Sequence, residues 1–254
     1  MERQLTGWAL DLDGVIWRGA ETVAGAPEAV AALRDAGAPI AFVTNSAQRT
    51  PAQVAAKLAS HGIADAESEV ITAAMAAATM VRAGQRVLAI GTDGVRAALV
   101  EAEVEIVEHA PADVVVMGID QTFDYDAMTR AMRAIDDGAR FIATNTDSTF
   151  PSTDGLVPGN GALVASVVTA SGIEPEVAGK PHPPIAALVR DRLGQVGLMV
   201  GDRPETDGRF AEAIGYDFGL VLSGVTTAEH LPVQPDPTYL AADLAALVEH
   251  VLNG

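Results

Sequence analysis

Two aspartates one residue apart, Asp11 and Asp13, interrupt the apolar stretch WALDLDGVIW. An unpaired carboxylate is costly to bury, so a plain buried strand should not contain them. Side chains alternate along an extended chain, which puts both carboxylates on the same side, and Gly14 lets the backbone turn tightly towards a ligand. Because the two carboxylates repel each other, they predict a positive partner, and a hard cation such as Mg²⁺ suits oxygen ligands. The alternative is a strand that simply ends in an aspartate-containing turn.

A second polar pair, Thr44 and Asn45, follows the apolar residues of FVTNSAQRT. A hydroxyl group and a backbone N–H at the end of a strand can bind a phosphoryl oxygen. The alternative is that both residues cap the turn that follows the strand. The pair therefore indicates a phosphate-binding position only in combination with other motifs.

Lysine is rare in this chain, which has two lysines, Lys57 and Lys180, beside fourteen arginines. Lys180 lies between a glycine and a proline in EVAGKPHPP, ahead of a predicted helix. A lysine there could neutralise a carboxylate pair and a phosphate as a compact point charge. The alternative is an ordinary surface lysine.

The last acidic motif is GLMVGDRPETDGRF, in which an apolar run ends at Gly201 and is followed by Asp202. Asp202 is a candidate metal ligand, and Glu205 or Asp207 could hold water or orient its neighbours. The alternative is that these acids favour the N-terminus of a helix through its dipole.

These motifs follow predicted strands of an α/β fold. Short runs rich in Val, Ile, Leu and Phe, bounded by Gly, Asp or Asn, predict strands at Trp8–Leu12, Ile40–Thr44, Val87–Ile90, Val114–Gly118, Phe141–Thr144, Leu198–Gly201 and Phe218–Leu222. Segments with helix-start and helix-stop signals lie between them, such as GAPEAVAALRDAG and PPIAALVRDRLG. The alternation predicts a doubly wound parallel sheet, in which ligands bind outside the carboxyl ends of the strands. All four motifs are therefore expected at one rim.

Composition excludes several classes of function. The formal net charge of −18 makes a nucleic acid or an anionic membrane a poor partner. The chain contains no cysteine, which excludes disulfides and thiolate chemistry and fits a cytoplasmic location. No apolar run is long enough to predict a transmembrane helix, and the start of the chain is too short and too acidic for a signal peptide.

Taken together, ALDLDGVIWRG, FVTNSAQRT, AGKPHPP and VGDRPETD resemble the haloacid dehalogenase (HAD) superfamily, and within it the NagD-like and p-nitrophenyl-phosphatase-like branch. The resemblance spans essentially the whole chain, in motif order. It implies a Rossmann-like core with a large inserted α/β cap domain. It also implies a phosphatase that acts on small-molecule phosphomonoesters.

The resemblance assigns roles to the first motif. The aspartate that matches Asp11 is the nucleophile, which forms an aspartyl-phosphate and so splits one difficult step into two. The residue that matches Asp13 protonates the leaving oxygen and later activates water. A second aspartate at this position is typical of phosphatases and phosphotransferases, not of dehalogenases.

The other roles that the resemblance implies concern metal and phosphate. Mg²⁺ would be held by Asp11, the backbone carbonyl of Asp13 and Asp202, and together with Lys180 it would offset the charge of the phosphoryl group. Thr44 would hold a phosphoryl oxygen, Gly14 and Asn45 would help to shape the phosphate site, and Asp207 would support the metal or Lys180 from outside the ligand set.

The long interval between Thr44 and Lys180 has its own βα pattern and resembles the cap of the NagD-like branch. We expect the cap at residues 80–177 and a discontinuous core at 1–79 and 178–254. Within ATNTDSTFPSTDGLVPGNGAL, Asn145, Asp147 and a turn containing Gly159 and Gly161 are candidate substrate contacts. The glycines could equally form a plain turn before a helix whose N-cap is Asn160.

Some residues depart from the family's pattern, and alternatives of function stay open. Ser46 replaces a common asparagine, and Pro204, Glu205 and Gly208 replace residues common after the last motif. A phosphotransferase or mutase could use the same intermediate, and a regulatory protein could keep the fold while binding phosphate esters. The resemblance is compatible with a homodimer. The physiological phosphate ester is not identified by these motifs.

Overall fold

The structure, a computed structural model, describes residues 7–152 and 155–253. Residues 1–6, which carry part of the signal-peptide argument, and residues 153–154 of the predicted cap loop lie outside the described residues. The chain divides into two compact units. The first unit comprises the described residues of Met1–Thr44, Ala52–Ile71 and Lys180–Gly254, and the second comprises those of Asn45–Pro51 and Thr72–Gly179. Along the described stretches, every helix is too short or too polar to cross a bilayer.

In chain order the strands are β1 (Gly7–Leu10), β2 (Trp17–Arg18), β3 (Glu21–Thr22), β4 (Ile40–Thr44), β5 (Val70–Thr72), β6 (Arg86–Ile90), β7 (Glu105–Val107), β8 (Val114–Met117), β9 (Arg140–Ala143), β10 (Thr149–Ser152), β11 (Gly155–Pro158), β12 (Glu176–Val177), β13 (Gly197–Gly201), β14 (Asp217–Val221) and β15 (Tyr239–Ala241). The α-helices are α1 (Ala26–Asp35), α2 (Pro51–Ser60), α3 (Ala73–Ala78), α4 (Asp93–Glu101), α5 (Tyr125–Asp136), α6 (Asn160–Ser171), α7 (Pro183–Leu193), α8 (Arg209–Ile214) and α9 (Leu244–Asn253).

The first unit is built on a six-stranded sheet with the order β15-β14-β13-β1-β4-β5. Strand β1 pairs in parallel with both β13 and β4, so Leu10 lies between Val200 and Phe42. These strands are buried throughout, and all but Thr44 of their residues are apolar or glycine, because both faces of a parallel sheet are covered by helices. The predicted α/β class with a parallel sheet is confirmed. The carboxyl ends of β1, β4 and β13 lie side by side and deliver the residues that follow them to one edge.

Strand boundaries differ slightly from the sequence prediction. The strand predicted at Trp8–Leu12 ends at Leu10, so Asp11 is the first residue after it rather than part of it. The strand predicted at Ile40–Thr44 has those bounds in the structure. The N–H of Asp11 still donates to the carbonyl of Val200, but the chain turns at Leu12, whose carbonyl accepts from the backbone N–H groups of both Ile16 and Trp17.

The second unit contains a separate five-stranded parallel sheet with the order β12-β9-β8-β6-β7. Its core packs apolar side chains of the sheet, such as Val115 and Phe141, against Ala131 of α5 and Val167 of α6. Strands β10 and β11 form an antiparallel hairpin just before α6. Helix α6 begins at Asn160 and its N-cap is Gly159, so the predicted N-cap at Asn160 is wrong by one residue.

Candidate active site

Lys180 lies at the centre of a buried charge cluster in the first unit, together with Asp11, Asp202 and Asp207; we call these four residues the Lys180 centre. The Lys180 Nζ atom lies 2.7 Å from Asp11 Oδ1 and 2.7 Å from Asp207 Oδ1. It also donates to the backbone carbonyl of Val43 at 3.1 Å. All three donors of the ammonium group therefore have acceptors, although the residue is only 4% exposed. The predicted positive partner of Asp11 is this lysine.

The electrostatics of the cluster follow from burial and charge count. Burial alone would lower the pKa of Lys180, but Asp11 and Asp207 outweigh it, so the pKa of Lys180 is raised and the ammonium group keeps its charge. Burial raises the pKa of Asp11 well above its ordinary value; Lys180 opposes this, and the charges of Asp207 and Asp202 add to it. One lysine thus does not balance three carboxylates, so the cluster carries a net negative charge that a bound cation would offset.

Asp202 follows β13 and is held by the loop after β14. Its Oδ2 accepts a hydrogen bond from the backbone N–H of Val225 at 2.5 Å. A side chain at Gly14 or Gly224 would overlap this carboxylate, since a Cβ atom at these positions would lie 2.4 Å and 1.9 Å, respectively, from Asp202 Oδ2. Gly14 also has a φ of 85°, which favours glycine. The predicted close approach of the backbone at Gly14 is therefore to the Asp202 carboxylate.

The donor set fits a hard divalent cation. Asp11, Asp202 and Asp207 each offer a carboxylate oxygen, and these oxygens lie within 4.8 Å of one another. Asp202 Oδ1 is buried and accepts no hydrogen bond from any residue in the described ranges. Burial, with the charge of Asp207, raises the pKa of Asp202 to about 7. A buried oxygen without a donor among carboxylates that repel one another is the arrangement that a bound Mg²⁺ or Ca²⁺ would complete.

Asp207 closes the cluster from one turn of π-helix, Pro204–Gly208, after β13. Its Oδ2 accepts the backbone N–H of Arg203 at 3.1 Å, while its Oδ1 accepts from Lys180. The residue is 1% exposed, whereas Glu205 in the same turn is exposed. Of the two acids considered for a supporting role, Asp207 is the one brought to the cluster.

Asp13 lies near this centre in sequence but has a different partner. Its Oδ1 accepts a hydrogen bond from the indole Nε1 of Trp17 at 2.9 Å. Its carboxylate is not among the three that cluster around Lys180. The residue is half-buried, so its side chain remains accessible while the indole holds one of its oxygens.

Thr44 is the last residue of β4 and is 3% exposed. It follows Val43, whose carbonyl accepts from Lys180, so the backbone of β4 and the Lys180 ammonium are joined next to the threonine. This placement agrees with a threonine that shares a phosphoryl group with Lys180. The role itself stays a prediction.

The predicted substrate contacts Asn45, Asn145 and Asp147 come together in the second unit. Asn145 Nδ2 donates to the carbonyl of Asn45 at 2.8 Å, and Asn145 Oδ1 accepts the N–H of Asp147 at 3.1 Å. Asn45 Nδ2 donates to both carboxylate oxygens of Asp147, at 3.3 and 3.2 Å. We call these residues and Asn160, whose Nδ2 donates to the carbonyl of Asn145 at 2.8 Å, the Asn145 network. Its members contact one another extensively, and substrate binding by them stays a prediction.

The glycines of the same segment have a packing explanation. A Cβ at Gly159 would lie 2.2 Å from the carbonyl oxygen of Asp147, and one at Gly161 would lie 2.3 Å from that of Thr146. The start of α6 therefore packs directly on the backbone of residues 146 and 147. This contact requires glycine at both positions without any ligand.

Sequence reasoning missed two elements of the site. One is the loop Ser223–Val225, in which Ser223 Oγ donates to the carbonyl of Gly14 at 2.6 Å and Val225 holds Asp202. A small polar residue and a glycine at the carboxyl end of a predicted strand were the available signal. The other is Trp17, whose hydrogen bond to Asp13 depends on the turn between them and gives no signal in the sequence.

Known proteins resemble this chain in sequence. Residues 8–105 match the family model described as haloacid dehalogenase-like hydrolase, and residues 177–247 match a second model described as HAD-hydrolase-like. The chain is 37% identical over 252 residues to the 5'-nucleotidase YutF of Bacillus subtilis, covering 96% of this chain and 98% of that protein.

Solved structures agree with the sequence matches. The p-nitrophenyl phosphatase from Archaeoglobus fulgidus superposes with a TM-score of 0.91 at 33% identity, covering 96% of this chain and 98% of that one. A glycerol phosphate phosphatase from Mycobacterium tuberculosis, in complex with magnesium, superposes with a TM-score of 0.89 at 34% identity. That match covers 96% of this chain and 77% of the other.

Proposed function

The chain belongs to the haloacid dehalogenase-like hydrolase family, as one of its phosphatases of small phosphomonoesters, and we propose that it works through an aspartyl-phosphate on Asp11 with Mg²⁺ bound beside it. The observation that carries this proposal is the Lys180 centre. One buried ammonium group touches Asp11 and Asp207 at 2.7 Å, next to a buried Asp202 oxygen that no described residue satisfies. A phosphoryl group bound there would meet a nucleophile and fixed positive charge together.

In the first half-reaction, a carboxylate oxygen of Asp11 attacks phosphorus, and the bond from phosphorus to the ester oxygen breaks. Asp13 gives its proton to the departing oxygen, so the product leaves as an alcohol and Asp13 becomes a carboxylate. Lys180 and the Thr44 hydroxyl hold the non-bridging oxygens, whose charge must be stabilised in the transition state.

In the second half-reaction, Asp13 accepts a proton from water as that water attacks phosphorus. The bond from phosphorus to Asp11 breaks, which releases inorganic phosphate and restores the Asp11 carboxylate and the Asp13 acid. Proton transfer by a positioned carboxyl group is worth about 10²–10⁴-fold in rate. Asp13 is suited to both tasks because it is half-buried and stands apart from the cluster around Lys180.

The metal would be held by the side chains of Asp11 and Asp202 and the backbone carbonyl of Asp13, with Asp207 supporting Lys180 beside them. When bound, Mg²⁺ supplies charge that offsets the phosphoryl group and the repelling carboxylates. The relative solved with magnesium supports this choice of ion.

We further propose that the substrate is a small phosphate ester and that Asn45, Asn145 and Asp147 are substrate contacts. The relatives act on nucleotides, glycerol phosphate and p-nitrophenyl phosphate according to their names, which suggests a panel of these chemical types and of sugar phosphates. The cluster around Lys180 recognises the phosphoryl group that all of them share, so it does not choose among the leaving groups.

The test is phosphate release from that panel, with and without Mg²⁺, for the wild type and for Asp11→Asn. We expect metal-dependent hydrolysis that falls by about 10³-fold or more in the variant, because the amide cannot form the covalent intermediate. Asp126→Asn, at an exposed position in α5, is the matched control and should retain wild-type turnover. Retention of most activity in Asp11→Asn would refute the nucleophile, and full activity in excess EDTA would refute the metal. Transfer to an added alcohol in excess of hydrolysis would instead identify a phosphotransferase.

A further inference from the structure

Trp17 and Asp13 are joined twice, once through the backbone and once through their side chains. The two residues form an isolated bridge, and the N–H of Gly14 donates to the carbonyl of Trp17 at 2.7 Å. The same turn carries the indole back over Asp13, where Nε1 donates to Oδ1 at 2.9 Å. No residue in the described part of the chain donates to Asp13 Oδ2. One oxygen of the carboxyl group is thus held, and the other remains for a proton.

The indole ring is itself held by residues from the end of α2. The rings of Trp17 and His61 stack with centroids 5.1 Å apart and an angle of 30° between their planes. Lys57 Nζ lies 3.8 Å from the centroid of the Trp17 ring, within the range of a cation–π contact. One of the two lysines of the chain is therefore placed over this ring, while the other occupies the Lys180 centre.

His61 is fixed in turn by the strand that pairs with Trp17. Thr22 Oγ1 and His61 Nδ1 lie 2.7 Å apart, and Thr22 stands opposite Trp17 in the β2–β3 pair. The contacts therefore form a closed ring from Trp17 to Thr22, to His61 and back to Trp17. Trp17 is 3% exposed, so its indole has little freedom to leave Asp13.

We propose that Trp17 is a positioning residue for Asp13, with its indole held by Lys57 and His61. The hydrogen bond to Oδ1 fixes the plane of the carboxyl group so that Oδ2 carries the transferable proton. Oδ2 gives this proton to the ester oxygen as the bond to phosphorus breaks, and takes a proton from water in the second half-reaction. This inference rests on the role of Asp13 in the proposed function.

The leaving group distinguishes positioning from mere packing. p-Nitrophenolate leaves without much help from an acid, whereas an alkoxide leaves only with a proton. The quantity kcat/KM covers the steps up to release of the alcohol, so it isolates the half-reaction in which Asp13 acts as an acid. A defect in positioning Asp13 should therefore lower kcat/KM more for an alkyl phosphate than for p-nitrophenyl phosphate.

The experiment compares Trp17→Phe with Trp8→Phe and Asp13→Asn. Trp8 in β1 is 2% exposed and belongs to the same apolar core, so its substitution is a matched control for lost volume. The substrates are p-nitrophenyl phosphate and the alkyl phosphate that the wild type hydrolyses fastest. We expect Trp17→Phe to lower kcat/KM about 10-fold or more for the alkyl ester and clearly less for the aryl ester, as a part of the general-acid contribution. Asp13→Asn should show the same pattern more strongly, and Trp8→Phe should leave the ratio of the two substrates unchanged.

The outcomes separate this inference from the proposed function. Equal losses on both esters in Trp17→Phe, beside a strong leaving-group dependence in Asp13→Asn, would overturn the positioning role alone. Absence of the dependence in Asp13→Asn would overturn the assignment of Asp13, and the positioning role with it. Lys57→Met keeps the tryptophan and removes the cation over its ring, so it tests the positioning role of Trp17 if Trp17→Phe does not fold. A smaller loss of the same selectivity in that variant supports the proposal, and an unchanged ratio contradicts it.

Discussion

The Lys180 centre of the first unit and the Asn145 network of the second bury polar side chains close behind the carboxyl ends of parallel strands. Each also contains a buried oxygen with no donor among the described residues, Asp202 Oδ1 in one and Asn160 Oδ1 in the other. The difference is charge. The Lys180 centre holds three carboxylates against one ammonium group, whereas the Asn145 network combines neutral amides with a single carboxylate.

Burial of polar side chains at a strand end does not by itself identify a catalytic site. The amide groups of Asn145 and Asn160 donate to neighbouring backbone carbonyls, as structural polar groups do, and that of Asn45 donates to the Asp147 carboxylate. The carboxylates of the Lys180 centre are too many for their donors, and such an imbalance persists in a folded protein when a ligand or a reaction requires it. Removing members of each region should therefore have different consequences.

The largest effect is expected from Lys180→Met, which keeps most of the length of the side chain and removes its charge. Asp11 and Asp207 would then be buried without their common partner, and loss of one member of a buried ion pair costs about 3–5 kcal/mol. The free energy of unfolding, measured by urea denaturation in EDTA, should fall by this order, most strongly at high pH, because burial raises the pKa of Asp11 and its carboxylate is fully charged only there. Phosphate release should be lost as well.

A double variant tests the physical reason for that loss. Adding Asp207→Asn to Lys180→Met removes one of the two stranded charges and should recover part of the stability without recovering activity. Equal stability of the wild type and Lys180→Met would contradict the view that this lysine neutralises the cluster.

Asp202→Asn should raise the stability of the metal-free protein at high pH, whereas Lys180→Met lowers it. The pKa of Asp202 is about 7 in the folded chain, against about 3.9 in an unfolded one, so the folded state binds the proton more tightly. Stability from this group is present below the unfolded value and is lost as the pH rises through about 7. In EDTA at pH 8, the Asp202→Asn variant should therefore melt at least about 2–4 °C above the wild type.

Mg²⁺ should reverse the order of the two melting temperatures. Binding of a cation to the folded state alone raises the melting temperature of the wild type, and the Asp202→Asn variant should lose this response. A variant that is less stable than the wild type in EDTA at pH 8 would show that the buried charge of Asp202 does not destabilise the fold. A variant that still responds fully to Mg²⁺ would show that Asp202 is not a metal ligand.

The sequence predicted the core strands well because each is a short, continuous apolar run between turn residues. Ile40–Thr44 has the predicted bounds and Asp202 follows its strand as expected, whereas Asp11 is predicted within its strand and follows it instead. Helix α3 was not predicted, because its sequence AAMAAA has no polar face and therefore no helical period. The two-residue strand β12 is too short to leave any periodic signal.

The site could be predicted as a set of motifs but not as a set of contacts. Lys180 lies 169 residues from Asp11 along the chain, so only the whole fold brings them to 2.7 Å. Each motif alone also had a structural alternative, and the resemblance supplied the roles. The resemblance named nothing for Trp17 or Val225, whose hydrogen bonds to Asp13 and Asp202 come from the turn after Leu12 and from the loop after β14.

The smallest effect is expected from Asn145→Ala, which tests the other side of the comparison. Asn145 is 5% exposed, and its amide group links the carbonyl of Asn45 to the N–H of Asp147. Alanine would leave these backbone groups without that link, which costs about 1–3 kcal/mol in the free energy of unfolding. Asn253→Ala, at the exposed end of α9, is the matched control and should stay within about 0.5 kcal/mol of the wild type.

Steady-state kinetics on the same Asn145→Ala protein then separate the two roles open to this residue. A structural amide lowers stability but leaves the ratio of kcat/KM between different phosphate esters unchanged. An amide that also contacts the leaving group alters that ratio, because the contact is made with some leaving groups and not with others. We expect the stability loss in either case. An altered ratio would support a substrate contact by Asn145, while an unchanged ratio would contradict that contact and confine the proposed contacts to Asn45 and Asp147.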